Sequence, residues 1–179
     1  QKENPPFVGA GLGFSDIARG YEQVFVSVFT NEADPKKSIE AAMEEVERVK
    51  RYGFTQAELD RLKKSTMAGI ERQYNEREKM ESYDLVEEYL RHFLEGEAIP
   101  GIENEFEYYK KMLPGITVDE INKMAKSLLD NTGNFYAMFM GPENASASKL
   151  PSESELIAAA QSAAGKSIKP YEEKAIAAS

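Results

Sequence analysis

The sequence has no cysteine and no tryptophan, only one histidine, and no apolar run near the about 18–20 residues that a membrane-spanning helix needs. Without cysteine there can be no disulfide, no thiolate metal site and no Cys-His nucleophile, though the compartment stays open. Basic charge is also short: 22 Lys and Arg stand against 31 Asp and Glu, a net charge of -9. Nucleic acid and anionic membrane surfaces are therefore not expected as partners, because the electrostatic term that drives such binding is repulsive on average. The first residue is Gln1 and not Met, so targeting upstream cannot be read.

What is present suits an ordinary folded domain: 179 residues, 41% hydrophobic and 10% aromatic. Residues 7–14 alternate glycine with larger groups. Val8, Ala10, Leu12 and Phe14 share one strand face and Gly9, Gly11 and Gly13 the other. Residues 21–30 are rich in β-branched and aromatic side chains, and the connection from Ser15 to Gly20 suits an antiparallel hairpin. A third strand is expected over Asn134–Met140, between the turn signals Asn131-Thr-Gly133 and Gly141-Pro142.

Between those strands the period becomes helical. Asp34 reads as an N-cap with Pro35 at the first helical position, followed by a stripe of Ile39, Ala42, Met43, Val46 and Val49 and a terminal Gly53. Thr55-Gln-Ala-Glu58 is a capping box that opens a second helix with Leu59, Leu62, Thr66 and Ile70 on its inner side. Ser82–Leu94 carries Leu85, Val86, Tyr89, Leu90, Phe93 and Leu94, a wide apolar stripe expected near the domain centre. Continuity with the preceding helix through Gln73–Glu81 is left open. A short helix with Phe106, Tyr109 and Met112 follows the breaker Ile99-Pro-Gly101. Thr117-Val-Asp-Glu120 is a second box, before Ile121, Met124, Ala125, Leu128 and Leu129. A third, Ser152-Glu-Ser-Glu155, starts an alanine-rich helix expected to stop at Gly165. The order strand, strand, helices, strand is that of an α+β domain, a mainly antiparallel sheet with helices packed on one face.

Chemistry-bearing constellations are scarce. His92 begins an HxxE sequence with Glu95, but Gly96 stands where HxxEH requires a second histidine, so a zinc ion would lack its ligand on the next helical turn. A Ser-His-Asp triad would have to use His92 and has no GxSxG elbow. Gly9, Gly11 and Gly13 do not form a dinucleotide fingerprint, because they lie inside a strand and Phe14 breaks the spacing. Close packing is the better reading of these glycines, and contact with an extended peptide the functional alternative. The acidic clusters Glu44-Glu45-Val-Glu47, Glu87-Glu88 and Glu103-Asn-Glu105-Phe-Glu107 are interleaved with basic residues, the pattern of a solvated helix face.

Four stretches in order carry a family resemblance: Thr30-Asn-Glu-Ala-Asp34-Pro35, Gly53-Phe-Thr55-Gln-Ala-Glu58-Leu-Asp-Arg61-Leu-Lys63, Ile116-Thr117-Val-Asp-Glu120-Ile-Asn and Phe139-Met-Gly141-Pro142. Together they resemble the late part of a domain from the pitrilysin/insulinase family of zinc metallopeptidases, over residues 7–142. The resemblance implies paired homologous α+β domains in each half of a clamshell, with zinc in the first domain of one half. That motif's two histidine ligands, glutamate base and downstream glutamate ligand have no counterpart here. Second domains of active members place an arginine and a tyrosine before the first strand of this region. The corresponding stretch here, Gln1–Phe7, has Pro6 or Phe7 near the tyrosine position and no hydroxyl to donate.

The expectation is therefore a single non-catalytic peptidase-like domain over residues 1–165, incomplete at its N-terminus, with 166–179 starting an interdomain linker. The chain itself is expected to hold no metal or cofactor and to contribute no catalytic residue, with zinc in the catalytic domain of a bacterial parent that hydrolyses peptide bonds. Its partners would be that catalytic domain, the other half of the same parent chain and peptide substrate, and the fragment would self-associate. Gly9, Gly11 and Gly13 are the candidate peptide-contact strand. The resemblance favours periplasm or cell envelope over cytoplasm. The alternative is a non-enzymatic scaffold or assembly subunit on the same fold.

Overall fold

The computed structural model describes residues 6–18, 20–30, 34–79, 82–130, 134–141 and 150–172. It contains two compact units, Gln1–Gly53 with Asn122–Ser179, and Phe54–Ile121. The class is α+β: an antiparallel hairpin and six α-helices among the described residues.

In the first unit, β1 (Phe7–Ala18) pairs antiparallel with β2 (Tyr21–Thr30). β1 runs four residues beyond the strand expected from the sequence, since Ser15 pairs with Gln23, Asp16 with Glu22 and Ala18 with Tyr21. The Gln23 amide also donates to Ser15 Oγ at 3.3 Å. Gly20, just before β2, takes φ +81°, as a tight hairpin turn requires. The glycine face is closed by the partner strand itself. Gly9 lies opposite Phe29, Gly11 opposite Ser27 and Gly13 opposite Phe25, and a Cβ at Gly13 would stand 2.4 Å from the Phe25 ring.

Helix α1 (Pro35–Tyr52) packs against β2 and against α6 (Glu153–Gln161). Contact on two sides explains why nearly every α1 residue past Ser38 is at least partly covered, where the sequence suggested a single buried stripe. Ala42 and Ala159, both buried, keep the helices' surfaces small where they face the interior. The ends of α1 form as their residues dictate. Asp34 Oδ1 accepts from the Lys37 amide at 3.2 Å, Pro35 opens the first turn, and the Gly53 amide closes the last on Val49 O at 2.7 Å with φ +71°.

The expected third strand is absent from the ladder. Residues 135–140 form no regular element and pair with no strand among the described residues, with Tyr136, Met138 and Met140 exposed. Its alternating sequence suits a strand, but a strand exists only where a neighbour supplies backbone partners. Tyr136 Oη donates to Gln23 Oε1 of β2 at 3.4 Å. The flanking signals at 131–133 and Pro142 lie outside the described residues, as do positions 1–5 and 31–33 of the resembling stretches.

α6 opens with the predicted box: Ser152 Oγ accepts from the Glu155 amide, and the Glu155 carboxylate accepts from the Ser152 amide at 2.9 Å. It ends at Gln161, before the expected Gly165. Bonds of the i to i+3 kind from Ser162, Ala164 and Lys166 tighten the chain into successive turns and turn Ala163 inward.

In the second unit, α2 (Gln56–Asn75) and α4 (Ile102–Met112) make the extensive packing. Tyr74 and Phe106 stack at 4.6 Å, the Arg77 guanidinium lies 4.5 Å from the Tyr74 ring centre, and Lys110 Nζ lies 5.0 Å from that of Phe106. α2 stops at Asn75 and a 3-10 turn follows at Arg77–Lys79. The apolar stripe of α3 (Ser82–Glu95) is not central as expected: Tyr89, Leu90, Phe93 and Leu94 are exposed. Amphipathic period marks a face able to be buried, and within this unit the packing surface of α2 is taken by α4. α5 (Val118–Leu129) begins at the Thr117 box, with Thr117 N donating to Glu120 Oε2 at 2.8 Å.

Two measurements probe this architecture. Gly53→Ala places a Cβ at positive φ and 2.5 Å from the Asn122 side chain, and is expected to destabilise by about 1–2 kcal/mol. Gly69→Ala, inside α2 with nothing within 4 Å of its Cβ position, is expected to stabilise by about 0.5–1 kcal/mol. Urea denaturation should give opposite signs.

The second concerns pH. Lys36, the first cause, and then the Ser152 backbone and side chain pull the Glu155 carboxyl from 4.5 to about 2, with Lys36 Nζ 2.8 Å from Glu155 Oε1. A carboxylate whose pKa is lower folded than unfolded stabilises above the unfolded value and loses that contribution as pH falls through the folded one. The α6 amide resonances should therefore shift between pH 4.5 and about 2, and Glu155→Gln should abolish that transition. An unchanged transition in the variant would refute the pairing.

Candidate functional site

His92 lies in the last turn of α3. Its Nδ1 is 2.6 Å from the Glu97 carbonyl, so the imidazole is a donor there and closes the loop over the helix end. Gly96 supplies the turn at φ +75°, its amide bonded to His92 O at 3.0 Å, and Arg91 pairs with the Glu97 carboxylate at 2.8 Å. The loop is thus held by main-chain capping and by flanking side chains.

The residues present do not fit a zinc ion. Among the described residues no group of three or more His, Cys, Asp or Glu is placed to hold a metal, and one imidazole nitrogen of His92 is engaged by a carbonyl. Cations meet several carboxylates of the first and third acidic clusters. Glu44 pairs with Lys166 at 2.7 Å, Glu45 with Arg48 at 2.9 Å, Glu47 with Arg51 at 2.6 Å, Glu103 with Arg77 at 3.2 Å and Glu107 with Lys110 at 3.1 Å.

The glycine face of β1 is brought against Phe25, Ser27 and Phe29 and not against any catalytic group. Two shallow hollows are apolar in character. One, of about 150 Å³, is lined by Tyr108, Tyr109, Met112, Leu113 and Ile116. The other, of about 420 Å³, lies between residues 135–137 and α6, with Tyr136, Glu153 and Gln161 among its lining. Neither gathers an acid, a base and a nucleophile.

What the structure does assemble is the second resembling stretch. Gly53 makes its positive-φ turn, the Thr55 and Glu58 box closes at 2.8 and 3.2 Å, and Leu59 is buried. Lys63 Nζ donates to Pro114 O at 3.0 Å and Ile116 O at 2.6 Å, capping the carbonyls after α4. Sequence reasoning missed this last role, since nothing local to Lys63 points to carbonyls some fifty positions on. His92→Ala removes one exposed hydrogen bond, so it should lower the stability measured by urea denaturation by no more than about 1 kcal/mol. A loss of several times that would mark His92 as more than a helix-end contact.

No protein-family model matches the chain. In sequence it is 34% identical over 88 residues to an Arabidopsis thaliana protein named zinc protease PQQL-like, over 49% of this chain and 9% of that protein. It is 27% identical over 138 residues to the chloroplastic stromal processing peptidase of Pisum sativum, over 75% of this chain and 11% of that protein. The chain thus spans about a tenth of these curated relatives. In fold it is similar to the periplasmic protease PqqL from Escherichia coli, with TM-score 0.79 at 20% identity over 94% of this chain and 18% of that one. Against the first half of the same protease the TM-score is 0.75 at 18% identity, over 94% of this chain and 36% of that one. A predicted insulinase family protease from Yersinia pestis gives 0.58 at 19% identity, over 69% of this chain and 27% of that one. In sequence the chain is thus similar to proteins that bear protease names, and in fold it is similar to the periplasmic protease PqqL and to an insulinase family protease.

Proposed function

We propose that the chain is a non-catalytic domain of a zinc metalloendopeptidase, serving as scaffold and substrate-chamber wall beside the parent's catalytic domain. The observation that carries this reading is the state of the one histidine in a chain that is otherwise protease-like. His92 has Gly96 at the position of a second histidine and spends Nδ1 on the Glu97 carbonyl. A catalytic zinc needs about three protein ligands and an open position. The zinc, the glutamate base and the hydrolytic water therefore belong to another domain of the parent, and this chain takes no step in the reaction. The names zinc protease and stromal processing peptidase borne by its relatives support a parent that cleaves peptide bonds, and likeness to a periplasmic protease favours an envelope location.

The domain's contribution would be surface and placement. Gly9 and Gly13 face the Phe29 and Phe25 rings of the partner strand and Gly11 faces the Ser27 hydroxyl, so a peptide would meet this hairpin along the β1 edge, through main-chain pairing, and not across Gly9, Gly11 and Gly13. The test is metal analysis after exhaustive dialysis, with a peptide-hydrolysis assay, on the chain and on His92→Ala. Neither stoichiometric zinc nor turnover is expected from either protein. One zinc per chain that vanishes on substitution, or zinc-dependent turnover, would overturn the assignment. An HxxEH motif elsewhere in the parent separates the protease from a scaffold that has lost catalysis.

A further inference from the structure

Residues 162–169 follow α6 and run along one face of α1, where five side chains meet them. Glu40, Glu44, Arg48, Arg51 and Tyr52 recur at helical spacings of three and four, so they form one stripe. Arg51 donates to Lys166 O at 2.8 Å and to Ala164 O at 2.9 Å. Tyr52 Oη donates to Ile168 O at 2.8 Å, and Arg48 Nη1 donates to Lys169 O. In return Lys166 Nζ reaches Glu44 at 2.7 Å and Glu40 at 3.6 Å.

Four successive contacts of this kind to main-chain carbonyls are a mode of recognition that reads the path of a chain more than its side chains. The arginines come to it oriented, Arg48 by Glu45 and Arg51 by Glu47, each within the same helix. Charge-assisted bonds of this kind are stronger than neutral ones. Side-chain selectivity rests on two residues. Lys166 faces the Glu40 and Glu44 pair, and Ile168 is the one large apolar residue of the segment to be buried, beside the small Ala163.

We propose that residues 162–169 form a releasable strap on the Glu40–Tyr52 face of α1, fastened through its carbonyls and anchored by Ile168, which fixes the direction of the chain at Lys169. It is releasable because its bonds to α1 run through partly exposed polar groups, with Ala163 and Ile168 as its buried apolar residues, whereas α1 keeps its own ladder and its packing on β2 when the strap lifts. Segments with few buried apolar contacts open locally, below the free energy of global unfolding.

Trypsin reads the state of the strap at the Lys166–Ser167 bond, since the Lys169–Pro170 bond resists that protease. In the wild-type chain this bond should be cut at least about tenfold more slowly than in a free peptide of residues 162–172, as expected where cleavage tracks the open population. Arg51→Ala combined with Tyr52→Phe should bring the rate close to that of the peptide, with far-UV circular dichroism unchanged. Ile168→Asp, which leaves every α1 side chain in place, should do the same if the double variant itself disrupts α1. The strap is refuted if the wild-type bond is cut as fast as in the peptide, or if Ile168→Asp keeps wild-type protection. Its releasability is refuted if, in Ile168→Asp, cleavage after Lys50 and Arg51 within α1 keeps pace with cleavage after Lys166.

Discussion

The hydroxyl of Ser38 is wholly buried, and it donates to the Pro6 carbonyl at 2.5 Å with the Asp34 carbonyl 3.2 Å away. One proton thus ties the entry to β1 to the first turn of α1. Leaving the buried Ser38 hydroxyl unpaired would cost about 1–3 kcal/mol, so this junction sets where the hairpin sits along the helix. From there α1 becomes the common support of the first unit, with β2 on one side, α6 on another, and the segment after α6 laid along its later turns.

This dependence explains which parts of the fold were legible in the sequence. Helix ends were, because a cap is a local transaction: Asp34, Thr55, Thr117 and Ser152 each find their amide within three residues. The long reach of Lys63 to the carbonyls after α4 was not, nor was the reach of Arg51 to those after α6, since both join residues far apart in sequence. The extent of β1 was misjudged because Ser15 and Asp16 look like turn residues until Gln23 and Glu22 stand opposite them. Over residues 134–140 the expected strand does not form, and α3 is amphipathic but its stripe is exposed. Pattern alone does not supply the neighbour that would complete a ladder or cover a stripe.

The candidate peptide-contact glycines Gly9, Gly11 and Gly13 were legible as a strand face but not as lying opposite Phe29, Ser27 and Phe25; the Gly53–Lys63 stretch was legible as a built turn and cap. Its residues act as caps, turn and anchor: Gly53 at a backbone angle that excludes most side chains, Thr55 and Glu58 in a closed box, Leu59 buried, Lys63 on distant carbonyls. Such a run specifies the path of a chain and not a reaction. Its agreement with a protease family in order and spacing is an agreement in architecture.

The column formed by Arg77, Tyr74, Phe106 and Lys110 has an optical consequence. The chain contains no tryptophan, so its near-ultraviolet spectrum belongs to tyrosine and phenylalanine. A tyrosine stacked on a second ring and faced by a cation is held in a fixed chiral setting, whereas an exposed one such as Tyr171 averages much of its signal away. Circular dichroism in that range therefore weights the junction of α2 and α4, giving the second unit an intrinsic reporter of its own melting that requires no label.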